Sequence, residues 1–106
     1  MLVELLYVDD CPNHRALAPR LRTLVEELAP SATVVERRIA GDAEAVAERF
    51  LGSPTVRVDG HDVEPSAPTR SDFGVQCRVY RTPAGLRGLP DEEWLRAALD
   101  RQPGRS

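Results

Sequence analysis

The chain contains no lysine; all 14 of its basic residues are arginine. We read this as the coding bias of a GC-rich, bacterial gene and not as a binding signature. It also lacks an excess of positive charge. Against 17 Asp and Glu residues the net charge is −3 at pH 7, which leaves no electrostatic footprint for nucleic acid or an anionic membrane. No apolar run approaches the roughly 20 residues that a membrane-spanning helix needs. The opening stretch MLVELLYV carries no basic leader, holds Glu4 within its apolar run and lacks a small-residue cleavage site. It is therefore expected not to be a secretory signal, and the expected address is the cytoplasm. Cysteine is scarce too: Cys11 and Cys77 are the only two. In a reducing compartment such a pair is more often catalytic, metal-binding or redox-sensing than a permanent crosslink.

What is present suits one small domain. With 106 residues the chain can bury one modest core, expected over residues 1–101, with Gln102–Ser106 as a frayed tail. Leu2–Val8 is short and nearly all apolar, which predicts a strand buried on both faces. Leu17, Leu21, Leu24, Val25 and Leu28 recur at helical spacing and predict a helix from about His14 to Ala29, ended by Pro30. Thr33–Ile39 is rich in β-branched residues, and Glu36, Arg37 and Arg38 suit it to a sheet edge. Gly41-Asp42 opens a second helix, with Asp42 as its cap and Ala43, Val46, Ala47 and Phe50 facing inward. Thr55–Val58, the turn Asp59-Gly60 and a return through Val63 predict a hairpin. Pro65 and Pro68 mark Glu64 to Ser71 as a loop. Gln76–Arg81 reads equally as a short strand or an ordered loop, and Thr82–Gly85 reads as a turn. From Pro90 to about Arg101 the spacing predicts a last helix burying Trp94, Leu95, Ala98 and Leu99. The order β-α-β-α-β-β-α places the chain in the α/β class, with a parallel pair joined through a helix and a closing hairpin.

The chemistry concentrates in VDDCPNH, Val8 to His14, where a strand gives way to a helix. Cys11-Pro12-Asn13-His14 is followed by Ala18-Pro19, a proline that either bends the helix or starts it. Gly52-Ser53-Pro54-Thr55 then leads into the hairpin. In layout this resembles the thioredoxin superfamily, in which C-x-x-C opens a helix, an alanine-proline pair kinks it and a cis-proline precedes a hairpin. The likeness covers roughly Leu2 to Glu64 and the final helix. It implies a thioredoxin-like fold, a mixed four-stranded sheet flanked by helices, with Pro54 cis and touching Cys11. It implies no cofactor.

A cysteine at a helix N-terminus faces backbone N–H groups and the positive end of the helix dipole, both of which stabilise a thiolate. A protonated His14 would add to that effect, and the carboxylates of Asp9 and Asp10 would oppose it. His14 stands where the family motif has its second cysteine, so a local disulfide cannot close. The resemblance then implies attack by Cys11 through mixed disulfides, resolved by Cys77 or an external thiol. The catalytic candidates are Cys11, His14, Cys77 and Pro54, with Ser53, Thr55, Asp10 and Arg78 as substrate contacts. Arg78, flanked by Arg70 and Arg81, would meet the carboxylates of a low-molecular-weight thiol. The expected partner is such a thiol or a disulfide-containing protein.

Two other readings stay open. Cys11, His14 and Cys77 form a soft ligand set suited to zinc, cuprous or mercuric ion. The Cys/Cys/Asp inventory and the segment Phe73–Tyr80 also bear a fainter likeness to the organomercurial lyases, which hold mercury between two thiolates while a carboxylate handles the proton. Alternatively, the chain is a thioredoxin-fold binding protein whose cysteines perform no turnover.

Overall fold

In the computed structural model, which describes residues 1–100, a mixed four-stranded sheet is built around the apolar strand β1 (Leu2–Tyr7). Strand side chains alternate, so β1 feeds two cores at once. Val3 and Leu5 enter one layer and Leu6 the other, all essentially inaccessible. Helix α1 (Pro12–Leu28) follows the turn Asp9-Asp10, where Asp10 adopts a positive φ of 58°. It buries Leu17, Leu21, Leu24 and Val25, the face set by the 3.6-residue period. It starts two residues before the expected His14, because Pro12 suits a first turn and Cys11 caps it. Pro19 lies inside α1 and forgoes the bond its amide would make to the Arg15 carbonyl.

Strand β2 (Thr33–Arg38) pairs parallel with β1 and forms one edge of the sheet. Strand β3 (Thr55–Val58) pairs antiparallel on the other side of β1, and β4 (His61–Asp62) returns along it. Asp59 (φ 51°) and Gly60 (φ 84°) make the two-residue turn, whose backbone twist matches that of the strands it joins. The sheet order is β2-β1-β3-β4. Helix α3 (Glu92–Asp100) packs against α1, and its Leu95, Ala98 and Leu99 complete a layer with Val3, Leu5, Val56 and Val58. Trp94, expected in that layer, is only partly buried at its margin.

The opposite layer is smaller, formed by Leu6, Ile39, Ala45 and Phe50 beneath α2 (Asp42–Ala47). Here the expectation is corrected. Ala43, Val46 and Ala47 face solvent, Val46 at 59% exposure, and Ala45 is the helical residue that turns inward. Six residues make less than two turns, too few for periodicity to define a face. The chain leaves α2 through Arg49 at a positive φ of 55°, which carries Phe50 back into the core. Asp42 is the first helical residue and not the cap; Gly41 occupies that position without a side-chain bond.

Residues 63–91 form an excursion between β4 and α3. It contains a 3-10 turn (Ala67–Thr69), a strap (residues 74–79) that bends before a single bridge at Cys77, and a hairpin of β5 (Tyr80–Thr82) and β6 (Gly85–Arg87). The turn at Thr82–Gly85 was expected; the return strand β6 was not. The expected tail, Gln102–Ser106, lies outside the described residues. No described helix is long and apolar enough to cross a membrane.

Candidate functional site

Cys11 is the N-cap of α1. Its Sγ accepts the backbone N–H of His14 at 3.4 Å, so the thiol faces the unpaired amides of the first helical turn. The residue is only 5% exposed. The His14 side chain is engaged elsewhere. Its ring stacks on Tyr7, with centroids 3.9 Å apart and planes within 4°, and its Nε2 donates to Glu36 Oε1 at 2.7 Å. What His14 offers the sulfur is therefore its backbone N–H. Glu36 also accepts from Arg22 at 2.5 Å, and the hydrogen bonds from His14 and Arg22 hold its carboxyl below the usual glutamate range. Both carboxylate oxygens of Asp9 are gripped by Arg38, at 2.8 and 2.7 Å, which lowers its pKa and draws its charge toward β2. Asp10 is exposed.

The Ser53-Pro54 peptide bond is cis. Ser53 is buried, and its Oγ accepts the N–H of Val8 at 3.1 Å, fastening this loop to the end of β1, three residues before Cys11. Thr55 is buried as well; its Oγ1 donates to the Gly52 carbonyl at 2.6 Å and accepts from Arg78 at 2.8 Å. Of the expected substrate contacts, Ser53 and Thr55 thus have hydroxyls that are inaccessible and already bonded within the chain.

Arg78 is the larger correction. It is 1% exposed and cannot present its charge to an external carboxylate. Its Nη1 donates to Thr55 Oγ1 and to Asp62 Oδ2 (2.7 Å), and its Nη2 to Asp62 Oδ1 (2.9 Å) and Glu64 Oε1 (2.8 Å). Its guanidinium lies over the Tyr80 ring, 4.2 Å from the centroid. Arg70 adds a second cation to Glu64, at 2.8 Å. Burial pushes the Glu64 carboxyl upward, but the hydrogen bonds from Arg78 and the Arg81 N–H, with the charges of Arg78 and Arg70, outweigh it and hold the group low. Burial raises the Tyr80 phenol far above its ordinary range, and its hydroxyl donates to the Pro54 carbonyl. The strap thus clamps the proline loop from beneath.

Cys77 sits on that strap, exposed, as a parallel bridge partner of Ser53. Ser53 N–H donates to the Gln76 carbonyl (2.8 Å) and Arg78 N–H to the Ser53 carbonyl (3.0 Å). The structure thereby connects Val8, Ser53 and Cys77, and both cysteines are free thiols. Among the described residues no group of three or more His, Cys, Asp or Glu side chains is placed to hold a metal ion, so the expected set of Cys11, His14 and Cys77 is not assembled. Two surface clefts lie away from Cys11. One, of ≈ 450 Å³, is lined by residues including Arg70, Val79, Arg81 and Leu86; the other, of ≈ 250 Å³, by residues including Arg49, Arg57, His61 and Phe73.

Sequence reasoning did not single out Tyr7, Glu36, Asp62, Glu64 or Tyr80. One signal was available. Asp62 and Glu64 stand two apart where a strand ends, a spacing that aims two carboxylates the same way and calls for a cation. Comparison with protein-family models, with curated proteins and with solved structures finds no match to this chain.

Proposed function

We propose that the chain is a thioredoxin-like thiol–disulfide exchange protein that acts through Cys11 in a reducing, cytoplasmic compartment. The observation that carries this reading is the Cys11 sulfur at the mouth of a 17-residue helix with a backbone N–H directed at it. Donated N–H bonds and the helix dipole favour the thiolate, the nucleophilic form of cysteine. Further support comes from the mixed sheet in the order β2-β1-β3-β4, the proline within α1 and the Ser-Pro loop held beside the end of β1. In the reaction, the Cys11 thiolate attacks one sulfur of a disulfide, a mixed disulfide forms, and the other sulfur leaves as a thiolate that takes a proton from water. Cys77 then attacks the Cys11 sulfur, forming a Cys11–Cys77 disulfide and releasing the bound thiol, or a second external thiol attacks the bound sulfur, leaving as a new disulfide and freeing the Cys11 thiolate.

A second reading is favoured by the low exposure of Cys11: a thioredoxin-like binding protein in which the thiol serves as a helix cap and nothing more. Incubation with hydroxyethyl disulfide, followed by peptide mapping, separates the two. Exchange predicts a mixed disulfide at Cys11 in the folded chain and its loss in Cys11→Ser. An unmodified Cys11 in the folded chain, with adducts confined to Cys77, rejects the exchange reading in favour of the binding protein.

A further inference from the structure

Peptides are commonly recognised by adding as a strand to an exposed backbone edge. The loop fastened to Val8 at the end of β1, three residues before Cys11, carries its backbone edge at Ser53, and here the chain occupies that edge with itself. The Ser53 N–H and carbonyl both bond to the strap, through Gln76 and Arg78. We propose that the exchange partner of Cys11 is a small-molecule disulfide or thiol and not an extended polypeptide. The inference rests on the proposed chemistry at Cys11 and names the substrate class of that site.

The strap is anchored along its length. Gly74 N–H donates to the Phe50 carbonyl at 3.0 Å and Val75 N–H to Asp42 at 3.1 Å, while Gln76 Nε2 reaches the Leu51 carbonyl at 3.2 Å. Arg78 follows with four charge-assisted bonds from a fully buried side chain, and Tyr80 with its bond to Pro54. On the other side, Gly52 faces the Arg78 backbone so closely that a Cβ there would stand 3.0 Å from Arg78 Cα. Elsewhere in the excursion, Gly88 abuts the side-chain amide of Asn13, two residues after Cys11. A polypeptide seeking the Ser53 edge would have to peel off the strap and strip Glu64 of its buried partner, which is strongly unfavourable. A small disulfide needs no edge. Its balanced step is attack by the Cys11 thiolate on R–S–S–R′ to give Cys11–S–S–R, with R′S⁻ departing with the electron pair of the broken bond.

The test uses two mixed disulfides with one leaving group, thionitrobenzoate, on the full chain carrying Cys77→Ser so that Cys11 is the sole thiol. That substitution leaves the bridge intact, because Ser53 bonds to Gln76 and Arg78 and not to the Cys77 side chain. One probe carries 2-mercaptoethanol as its other half, the second a short extended peptide centred on cysteine. Release of thionitrobenzoate is expected to be at least about tenfold slower for the peptide probe, the factor set by the two backbone hydrogen bonds that must be broken. Equal rates, or a faster peptide, overturn the small-substrate inference and leave exchange at Cys11 standing. Rates for both probes no greater than in the urea-unfolded chain refute exchange itself, and the substrate class with it.

Discussion

Replacing Arg78 with methionine removes a buried cation while nearly keeping its volume, and the structure sets the size of the effect. Four bonds are lost, two to Asp62, one to Glu64 and one to Thr55. Severing one partner of a buried pair typically costs about 3–5 kcal/mol, because the remaining charge is left without compensation. Two features reduce that figure here. Arg70 stays on Glu64 at 2.8 Å, and Asp62 is 14% exposed, so water can solvate it. A loss of about 3 kcal/mol is expected, a large share of a typical total of about 5–15 kcal/mol. Urea unfolding should show a lower midpoint with an unchanged slope. The pH dependence supplies a second reading. The Glu64 value is depressed in the folded chain, so its contribution is complete above the ordinary glutamate value of about 4.3 and fades as pH falls through the folded value. Arg78→Met should flatten that acid limb. Combined with Glu64→Gln it should cost less than the sum of the single changes, by about 0.5–3 kcal/mol. A cost below about 1 kcal/mol for Arg78→Met, or strict additivity with Glu64→Gln, would refute the buried hub as the strap's anchor.

Two further outcomes follow from local geometry. Gly52→Ala combines a φ of 129° with a Cβ set against the Arg78 backbone, and should destabilise the chain by about 1–3 kcal/mol; a change within error in urea would mean that the strap is loosely seated. Glu36→Gln removes the negative charge and one of the two acceptor oxygens that His14 and Arg22 use, but the side chain is 30% exposed, so at pH 7 the loss should stay under about 1 kcal/mol in the same assay. Its effect should vanish as pH falls below the depressed Glu36 value, where the wild-type carboxylate is itself protonated.

How far the sequence reveals this structure depends on how local each signal is. The apolar run of β1, the leucine spacing of α1 and the Asp59-Gly60 turn involve residues adjacent or one turn apart, and each emerged within two residues of where its pattern placed it. The face of α2 was misread because a helix of six residues carries too little periodicity to outweigh its ends. Arg78 was read as a surface charge because its partners, Asp62 and Glu64, lie 16 and 14 residues back and converge on it only once the excursion folds down. The engagement of His14 was hidden for the same reason, since Tyr7 and Glu36 come from two strands that meet through a parallel pairing. Cysteine at the mouth of a helix was expected from the Cys11-Pro12-Asn13-His14 motif through its resemblance to a known layout, while leucine spacing alone started the helix near His14. The strap that fills the Ser53 edge was not, because a segment between strand and loop in composition takes its conformation from the edge it finds.

The most direct test of Cys11 as the reactive thiol is a competition within one molecule. The folded chain is treated with limiting iodoacetamide at pH 7, and the adducts at Cys11 and Cys77 are counted by peptide mapping. Exposure alone favours Cys77, because Cys11 is 5% accessible. The proposed role of the Cys11 sulfur, held at the helix mouth with the His14 N–H directed at it, predicts the reverse, with Cys11 labelled faster and the difference erased in urea. Labelling of Cys77 first, with Cys11 modified only after unfolding, would contradict the account.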